Sequence, residues 1–407
     1  MTSRPPAVPA AARPASAPAA PADWPGAPFR IGMDARKLGD YGIGDYIWNL
    51  LVHLRRLDPV NQYVLFHQTG GAGQPSPGEP PAWPPAASPG PAPLWIRDDA
   101  PKYSLREQLS LPWLSWRHGL DLLHCPHYVT PLVRPCPVVV TIHDIIQVAL
   151  ARNFSPPARA YARFMLRRAV TGARRIIAIS EGTRQDLIGR LGADPDRIAV
   201  IYNGLPEDAA PVRDPVRLAA VRARHGIAGP YLLFVGNVRM RHKNVVTLVR
   251  AFRLLRERRR DGLTLVLAGG SGAPGPELVE AAGPAWPDVR LTGFVARADL
   301  PALYSGAEAF VWPSLYEGFG FPPLEAMACG TPVVSSSAPV MPEVLGAAAL
   351  FVPPLEPEAY ACAIQRVLED SGLRASLTAR GAAQAARYSW TECARRTLSV
   401  YGEALAE

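Results

Sequence analysis

Four short stretches of this sequence combine residue types that could do chemistry. The longest, Glu317-Gly-Phe-Gly-Phe-Pro-Pro-Leu-Glu325, sets two carboxylates eight residues apart across a glycine-rich turn that enters a helix. A carboxylate there can accept hydrogen bonds from paired sugar hydroxyls, and the amides of Gly318, Phe319, Gly320 and Phe321 can meet a ring or a phosphate. Carboxylates so spaced also occur as solvated caps, although Phe319, Phe321 and Leu324 argue against a merely exposed face. A second stretch, Gly236-Asn-Val-Arg-Met-Arg-His-Lys-Asn244, follows an apolar run and leads into a helix. Lys243, Arg241 and Arg239, with the free amides of the turn, could hold a diphosphate there, unless the turn is simply basic and solvated.

The third stretch, Gly39-x-x-Gly42-x-Gly44, lies between the first strand and the first helix. Its glycines would let backbone approach an anion at the helix N-terminus, or would serve tight packing alone; the spacing is not that of a dinucleotide fingerprint. The fourth, Val140-Thr-Ile-His143-Asp144, ends an apolar strand with a histidine that could hydrogen-bond a reacting sugar, shuttle a proton, or act as a structural cap. His124-Cys-Pro-His127 lacks distant partners at ligand spacing, so no metal site is expected.

The elements that must position these residues follow one rhythm. Short runs rich in Val, Ile and Leu at 30–34, 62–66, 120–124, 138–142, 175–179 and 197–202 alternate with helical patterns at 43–57, 104–118, 157–170 and 181–191. The rhythm lapses and then resumes with strands at 231–235, 263–267, 289–292, 309–312 and 332–335. Helical patterns fall between them at 243–257, 276–282, 299–306 and 322–329, and further helices follow at 356–369, 373–387 and 389–405. Runs such as Val138-Val-Val-Thr-Ile142 are apolar without alternation, as expected of parallel strands covered on both faces. The expectation is an α/β protein of two Rossmann-like, doubly wound domains facing across a cleft, which is the default ligand site.

Composition divides the chain further. Of 407 residues 45 are Pro; eight fall in residues 1–28 and nine in 70–93. The expected organisation is a disordered Pro/Ala tail at 1–28, an N-terminal domain at 29–205 with a mobile loop at 70–93, a linker at 206–228, a C-terminal domain at 229–387, and a helix at 388–407 crossing back. Five Cys without a CxxC pair fit a reducing compartment, and no run reaches the ~20 apolar residues of a membrane span, so a cytoplasmic protein is expected. The net charge of +8 is scattered as Arg, and no nucleic-acid partner is expected. Leu105, Leu109, Trp113 and Trp116, beside Arg106 and Arg117, form either an amphipathic face for peripheral contact with the inner side of a membrane or part of an ordinary core helix.

In this order the motifs make the chain resemble the retaining glycosyltransferases of GT-B fold called family 4, or glycosyl transferases group 1, and among them the mannosyltransferases. The resemblance runs from Arg30 to the C-terminus and is most specific from Ser314 to Val334, the family's E-x7-E segment. Gly42-Ile-Gly44, Thr141-Ile-His-Asp144, Ala178-Ile-Ser-Glu181, Tyr202-Asn-Gly204 and His242-Lys-Asn244 support it. It implies a hexosyltransferase with a nucleotide-sugar donor, GDP-mannose being the first expectation, and a glycan or lipid-linked acceptor in surface polysaccharide synthesis, with no metal or other cofactor. The N-terminal domain would bind acceptor and the C-terminal domain donor. Glu325 would bind the ribose, Glu317 the transferred sugar, and Lys243 with Arg239 or Arg241 the diphosphate. Gly236 and Gly318 to Phe321 would line the donor site, Gly42 and Gly44 would close over it, and His143 would approach from the acceptor side. The Val238-Arg-Met-Arg241 turn is longer than the family's usual one, which leaves open which arginine meets phosphate, and Glu343 is expected to be structural. The alternatives are a non-catalytic nucleotide-sugar-binding protein of the same fold and, last, a nicotinamide-dependent oxidoreductase.

Overall fold

The computed structural model describes residues 24, 26–40, 42–68, 90–259, 261–270 and 274–406. Its first sheet holds seven parallel strands: β1 (Arg30–Asp34), β2 (Gln62–His67), β3 (Leu94–Arg97), β4 (Leu122–Cys125), β5 (Val138–Ile142), β6 (Arg175–Ala178) and β7 (Ile198–Val200). Their spatial order is β3-β2-β1-β4-β5-β6-β7. The second sheet holds β8 (Tyr231–Val235), β9 (Thr264–Ala268), β10 (Val289–Gly293), β11 (Ala309–Trp312), β12 (Val333–Ser336) and β13 (Ala349–Val352), in the order β10-β9-β8-β11-β12-β13. Every residue of β5 is buried, which its branched, unbroken apolar run requires of a strand covered on both faces.

Between the strands of the first half lie α1 (Ile43–Leu57), α2 (Leu105–Arg117), α3 (Ile146–Ala149), α4 (Pro156–Gly172) and α5 (Glu181–Leu191). The ends of α5 are set locally: the Ser180 side chain accepts from Thr183 N, and Gly192 closes the last turn in the left-handed conformation, φ 68°. A connecting helix α6 (Pro215–Arg224) leads into the second half, with α7 (Val245–Arg258), α8 (Pro276–Ala282), α9 (Leu300–Ser305), α10 (Phe321–Ala328), α11 (Val340–Leu345), α12 (Pro357–Glu369) and α13 (Ser371–Ala385). The last helix, α14 (Trp390–Ala406), returns to the first sheet and buries Trp390, Ala394, Leu398 and Tyr401 in one core with Ile47, Leu50 and Leu54 of α1.

Strand order reverses once in each sheet, between β1 and β4 and between β8 and β11. At such a point the loops leaving the carboxyl ends diverge to opposite faces, and a crevice opens between them. The loops that open there carry the Gly42 turn in the first half and the Lys243 and Glu317 turns in the second.

Several expectations need correction. The span 206–228 is not a bare linker, because Asp214 caps α6 by accepting from Val216 N, Pro215 presets its first turn, and Val221 is buried. Order also begins before Phe29. Trp24 is buried and packs against Phe29, with ring centroids 6.2 Å apart, and against Gly402 of α14. The rest of the tail, 1–23, and most of the loop, 69–89, lie outside the described residues. The end of that loop is held, since Gln62 Nε2 donates to Ala92 O at 2.8 Å, and the strand β3 that follows had no reading in the sequence. β13 and α11 were likewise unread.

The return of α14 leaves no room at Gly204, where a Cβ would fall on the backbone nitrogen of Trp390. Gly204→Ala is expected to destabilise the protein by about 1–3 kcal/mol, as overpacking does. A urea midpoint unchanged from wild type would contradict that close approach.

Candidate active site

In the second half, two loops leave the switch point sewn to each other. Leu315 N and Ser314 Oγ both donate to His242 O, at 2.7 and 3.1 Å. Asn244 takes the left-handed conformation, φ 55°, at the start of α7, and its Nδ2 donates to Pro313 O and Pro354 O at 3.0 and 2.6 Å. This framework holds Lys243 between two groups. Its Nζ donates to both carboxylate oxygens of Glu317, at 2.8 and 3.1 Å, and stands 4.6 Å from the centre of the Trp312 ring. The two residues expected to divide phosphate and sugar between them are thus one partly buried ion pair. Arg239 and Arg241 lie exposed on the same turn.

Gly318 follows Glu317 and lies directly against the first half: a Cβ there would collide with the carbonyl oxygen of His143. Gly320 has φ 98° and precedes α10, whose second and third residues are Pro322 and Pro323, so that its first turn offers the Phe321 amide and the positive end of the helix dipole to an anion. Phe319 is buried among Tyr202, Tyr388 and Phe321, so its ring belongs to the core and only its backbone is available to a ligand. Gly236 donates its amide to Ala268 O at 2.8 Å, joining the start of the basic turn to β9.

Glu325, one turn into α10, accepts from Tyr304 OH at 2.8 Å and lines a small cleft with Arg297, Asp208, Leu300, Pro301 and Cys329. Burial raises its pKa, against the lowering effect of the Tyr304 hydrogen bond and the Arg297 charge. Arg297 also donates to Asp45 Oδ1 of α1 at 2.9 Å, so this cleft is bordered by the first turn of the other half's helix.

In the first half the two glycines separate in role. A Cβ at Gly44 would strike the carbonyl oxygen of Leu38, so that glycine serves packing. Gly42 has φ 76° and nothing within 4 Å of where a Cβ would stand, so it is the one with open space in front of it. His143 donates from Nε2 to Pro126 O at 3.0 Å, because a carbonyl can only accept. That leaves Nδ1 with the lone pair. Burial, reinforced by the Lys37 charge and only partly offset by the Pro126 hydrogen bond, lowers its pKa to about 4. The imidazole is therefore neutral at pH 7, suited to accepting a hydroxyl hydrogen bond and a poor proton carrier. Both nitrogens of His124 are engaged, by Tyr401 OH at 2.6 Å and Thr141 Oγ1 at 2.8 Å, so it is part of the core.

Further residues at this junction escaped sequence reasoning as site members. Asp144 accepts from Ile146 N at 3.0 Å, and its pKa is raised by burial and by the Glu317 charge, against the Lys243 charge. Tyr316 OH donates to Asp186 Oδ2 at 2.8 Å and accepts from Ile145 N at 3.4 Å, tying the Glu317 loop to the first half. Glu343 accepts from the amides of Glu181 and Gly182 at 2.7 and 2.9 Å, capping α5 from across the junction. Its Pro-Glu context offered a hint of structure; nothing in sequence marks Tyr304 or Tyr316.

A pair of Rossmann-like sheets whose switch points face each other is the GT-B arrangement, and Lys243 and Glu317 stand where the two halves meet. The family model "Glycosyltransferase Family 4" matches residues 41–209, and "Glycosyl transferases group 1" matches 229–370. The chain belongs to this glycosyltransferase family. It is 35% identical over 288 residues, 69% of its own length and 74% of the relative's, to the O-antigen chain mannosyltransferase B of Escherichia coli. In structure it resembles the sucrose-phosphate synthase of Thermosynechococcus elongatus, with TM-score 0.70 at 20% identity over 91% of this chain and 98% of that one. It also resembles Anabaena Alr3699/HepE in complex with UDP-glucose, with TM-score 0.68 at 18% identity over 91% of this chain and 99% of that one.

Burial is the chief cause that holds seven histidines below the ordinary 6.5, among them His143 and His242 at about 4 and His124 at about 3. Below pH 6.5 the unfolded chain binds protons that the folded one refuses, so stability falls as the pH drops toward 4. Urea midpoints measured across that interval should decline steadily, and a midpoint constant with pH would contradict the buried neutral imidazoles.

Proposed function

We propose that this glycosyltransferase moves mannose from GDP-mannose, with retention at the anomeric carbon, to a glycan or lipid-linked acceptor in cell-surface polysaccharide synthesis. The observation that carries this reading is the Lys243–Glu317 pair, with both Lys243 hydrogen bonds within 3.1 Å, placed beside the neutral His143 at the meeting of the two halves. The likeness to an O-antigen mannosyltransferase supports the sugar and the acceptor class.

Chemistry follows from the charges. As the bond between the sugar carbon and the diphosphate oxygen breaks, negative charge grows on the diphosphate, where Lys243 and the Phe321 amide at the start of α10 stabilise it. Lys243 reaches the phosphate by exchanging part of its contact with Glu317, which is then free to hold a sugar hydroxyl. Arg239 or Arg241 adds charge from the same turn. The acceptor oxygen attacks from the face the leaving group departs, and its proton passes to the departing phosphate oxygen. His143 holds a sugar hydroxyl through Nδ1, and Glu325 binds the ribose. The reaction on this reading needs no metal or other cofactor, and the protein works in the cytoplasm, peripherally at the inner face of the membrane. No helix among the described residues is long and apolar enough to cross a membrane.

A thermal-shift screen against GDP-, UDP- and ADP-sugars tests the donor: GDP-mannose should raise the melting temperature most. A larger shift with another base would replace the donor, and failure of every nucleotide-sugar to yield free nucleotide with acceptor present would favour a non-catalytic binding protein. Glu325→Ala should weaken nucleotide binding by about 1.5–3 kcal/mol, read by calorimetry. Unchanged affinity would remove the ribose role. Lys243→Ala should lower turnover on the order of 10²–10³-fold, and wild-type rates in that variant would take Lys243 out of the phosphate site.

A further inference from the structure

Helix α2 turns only one side to the protein. Glu107, Leu111, Leu114 and Ser115 are buried, whereas Leu105, Leu109, Trp113 and Trp116 are 83, 73, 52 and 73% exposed. Their spacing puts them on a single stripe of the helix. Single exposed apolar residues are ordinary on a protein surface, but four large ones in a row are not.

The stripe continues beyond α2. Leu111 and Leu114 share a core with Leu166, Ala169 and Val170 of α4, so the two helices cover the same face of the first sheet. Leu132 N donates to Gln108 Oε1 of α2 at 3.0 Å, and the next residue, Val133, is exposed, as is Phe164 of α4. The charge on this part of the chain is predominantly positive. Residues 101–174 contain ten Lys or Arg and three acidic residues. Of those three, Glu107 is buried under Arg36 and Asp144 accepts from Ile146 N, while Asp121 is exposed and accepts from Arg30 N. Arg106, Arg117, Arg163 and Arg167 are all exposed, and the Arg117 guanidinium lies 5.3 Å from the Trp113 ring centre.

We propose that this face, formed by α2, the turn at 132–133 and α4, docks on an anionic lipid bilayer. The inference rests on the reading of a lipid-linked acceptor and assigns the surface that meets the lipid. Apolar side chains enter the headgroup boundary, indoles sit at its depth, and the arginines pair with lipid phosphates. A second copy of the chain fits this face poorly, because two such surfaces would oppose arginine to arginine. The docked face also adjoins the crevice. Tyr103, immediately before α2, accepts from Lys37 Nζ at 2.8 Å, and its ring meets His127 at 6.0 Å, at the carboxyl ends of β1 and β4. An acceptor headgroup can reach the crevice there while its lipid stays in the bilayer.

The test is flotation of the full chain with vesicles of phosphatidylglycerol and phosphatidylcholine, compared with phosphatidylcholine alone. Wild type should rise with the anionic vesicles only. Leu109→Ser/Trp113→Ser/Trp116→Ser and, separately, Arg106→Glu/Arg117→Glu should each cut the floated fraction by roughly tenfold or more. Both variants should keep the wild-type melting temperature, because the replaced side chains are exposed. They should also keep nucleotide release with a water-soluble acceptor analogue. Wild type that stays below the anionic vesicles overturns the proposal, as do variants that float like wild type. A dimer in analytical ultracentrifugation that the triple variant abolishes, with no flotation, makes a second copy the occupant and overturns it too. Flotation by a protein that transfers no sugar would leave this surface standing and remove the acceptor reading alone.

Discussion

A parallel sheet can change the direction of its winding only by opening a crevice, and this protein does so twice. Between β1 and β4, and again between β8 and β11, successive loops leave to opposite faces. Backbone amides and short side chains are concentrated there because no strand neighbour takes them up. The molecule places the two openings against each other and fastens them with few contacts: Glu343 on the amides of Glu181 and Gly182, Tyr316 between Asp186 and Ile145, and Arg297 on Asp45. Each fastening satisfies a polar group of one half with a group of the other.

The electrostatics of the junction follow from that closeness. Lys243 sits among Glu317, Asp144 and the Trp312 ring, and Asp144 is held toward its neutral form by burial and by Glu317. On the proposed reading, a diphosphate arriving here competes with an existing carboxylate for one ammonium group, so its binding and rearrangement of the ion pair are the same event. His143 is deprived of its charge by the same burial, and its orientation is fixed by a backbone carbonyl rather than by an acid. It offers a lone pair where a charged imidazolium would repel Lys37.

Much of this was readable from residue order. Unbroken Val and Ile runs mark buried parallel strands, and the helical pattern at 181–191 matches α5 to the residue. The carboxylates and Lys243 stand out because charged residues beside glycine at a strand end have few structural uses. What stayed hidden depends on distance in sequence. β3 and β13 are four-residue edge strands beside Pro-containing segments, too short for a period to register. The pairing of Lys243 with Glu317 spans 74 residues, and the Glu343 cap spans more than twice that. The packing role of Gly44 and the burial of Phe319 likewise depend on neighbours that only the fold supplies.

The Glu343 cap has a consequence for motion. The first amides of an α-helix have no partner within the helix, and α5 obtains two of them from a residue of the other half. Parting the halves therefore exposes the start of α5 to water and takes Val340 away from Gly182. The order of that helix end and the closure of the crevice form a single equilibrium, so a ligand that bridges the halves firms a turn it never touches.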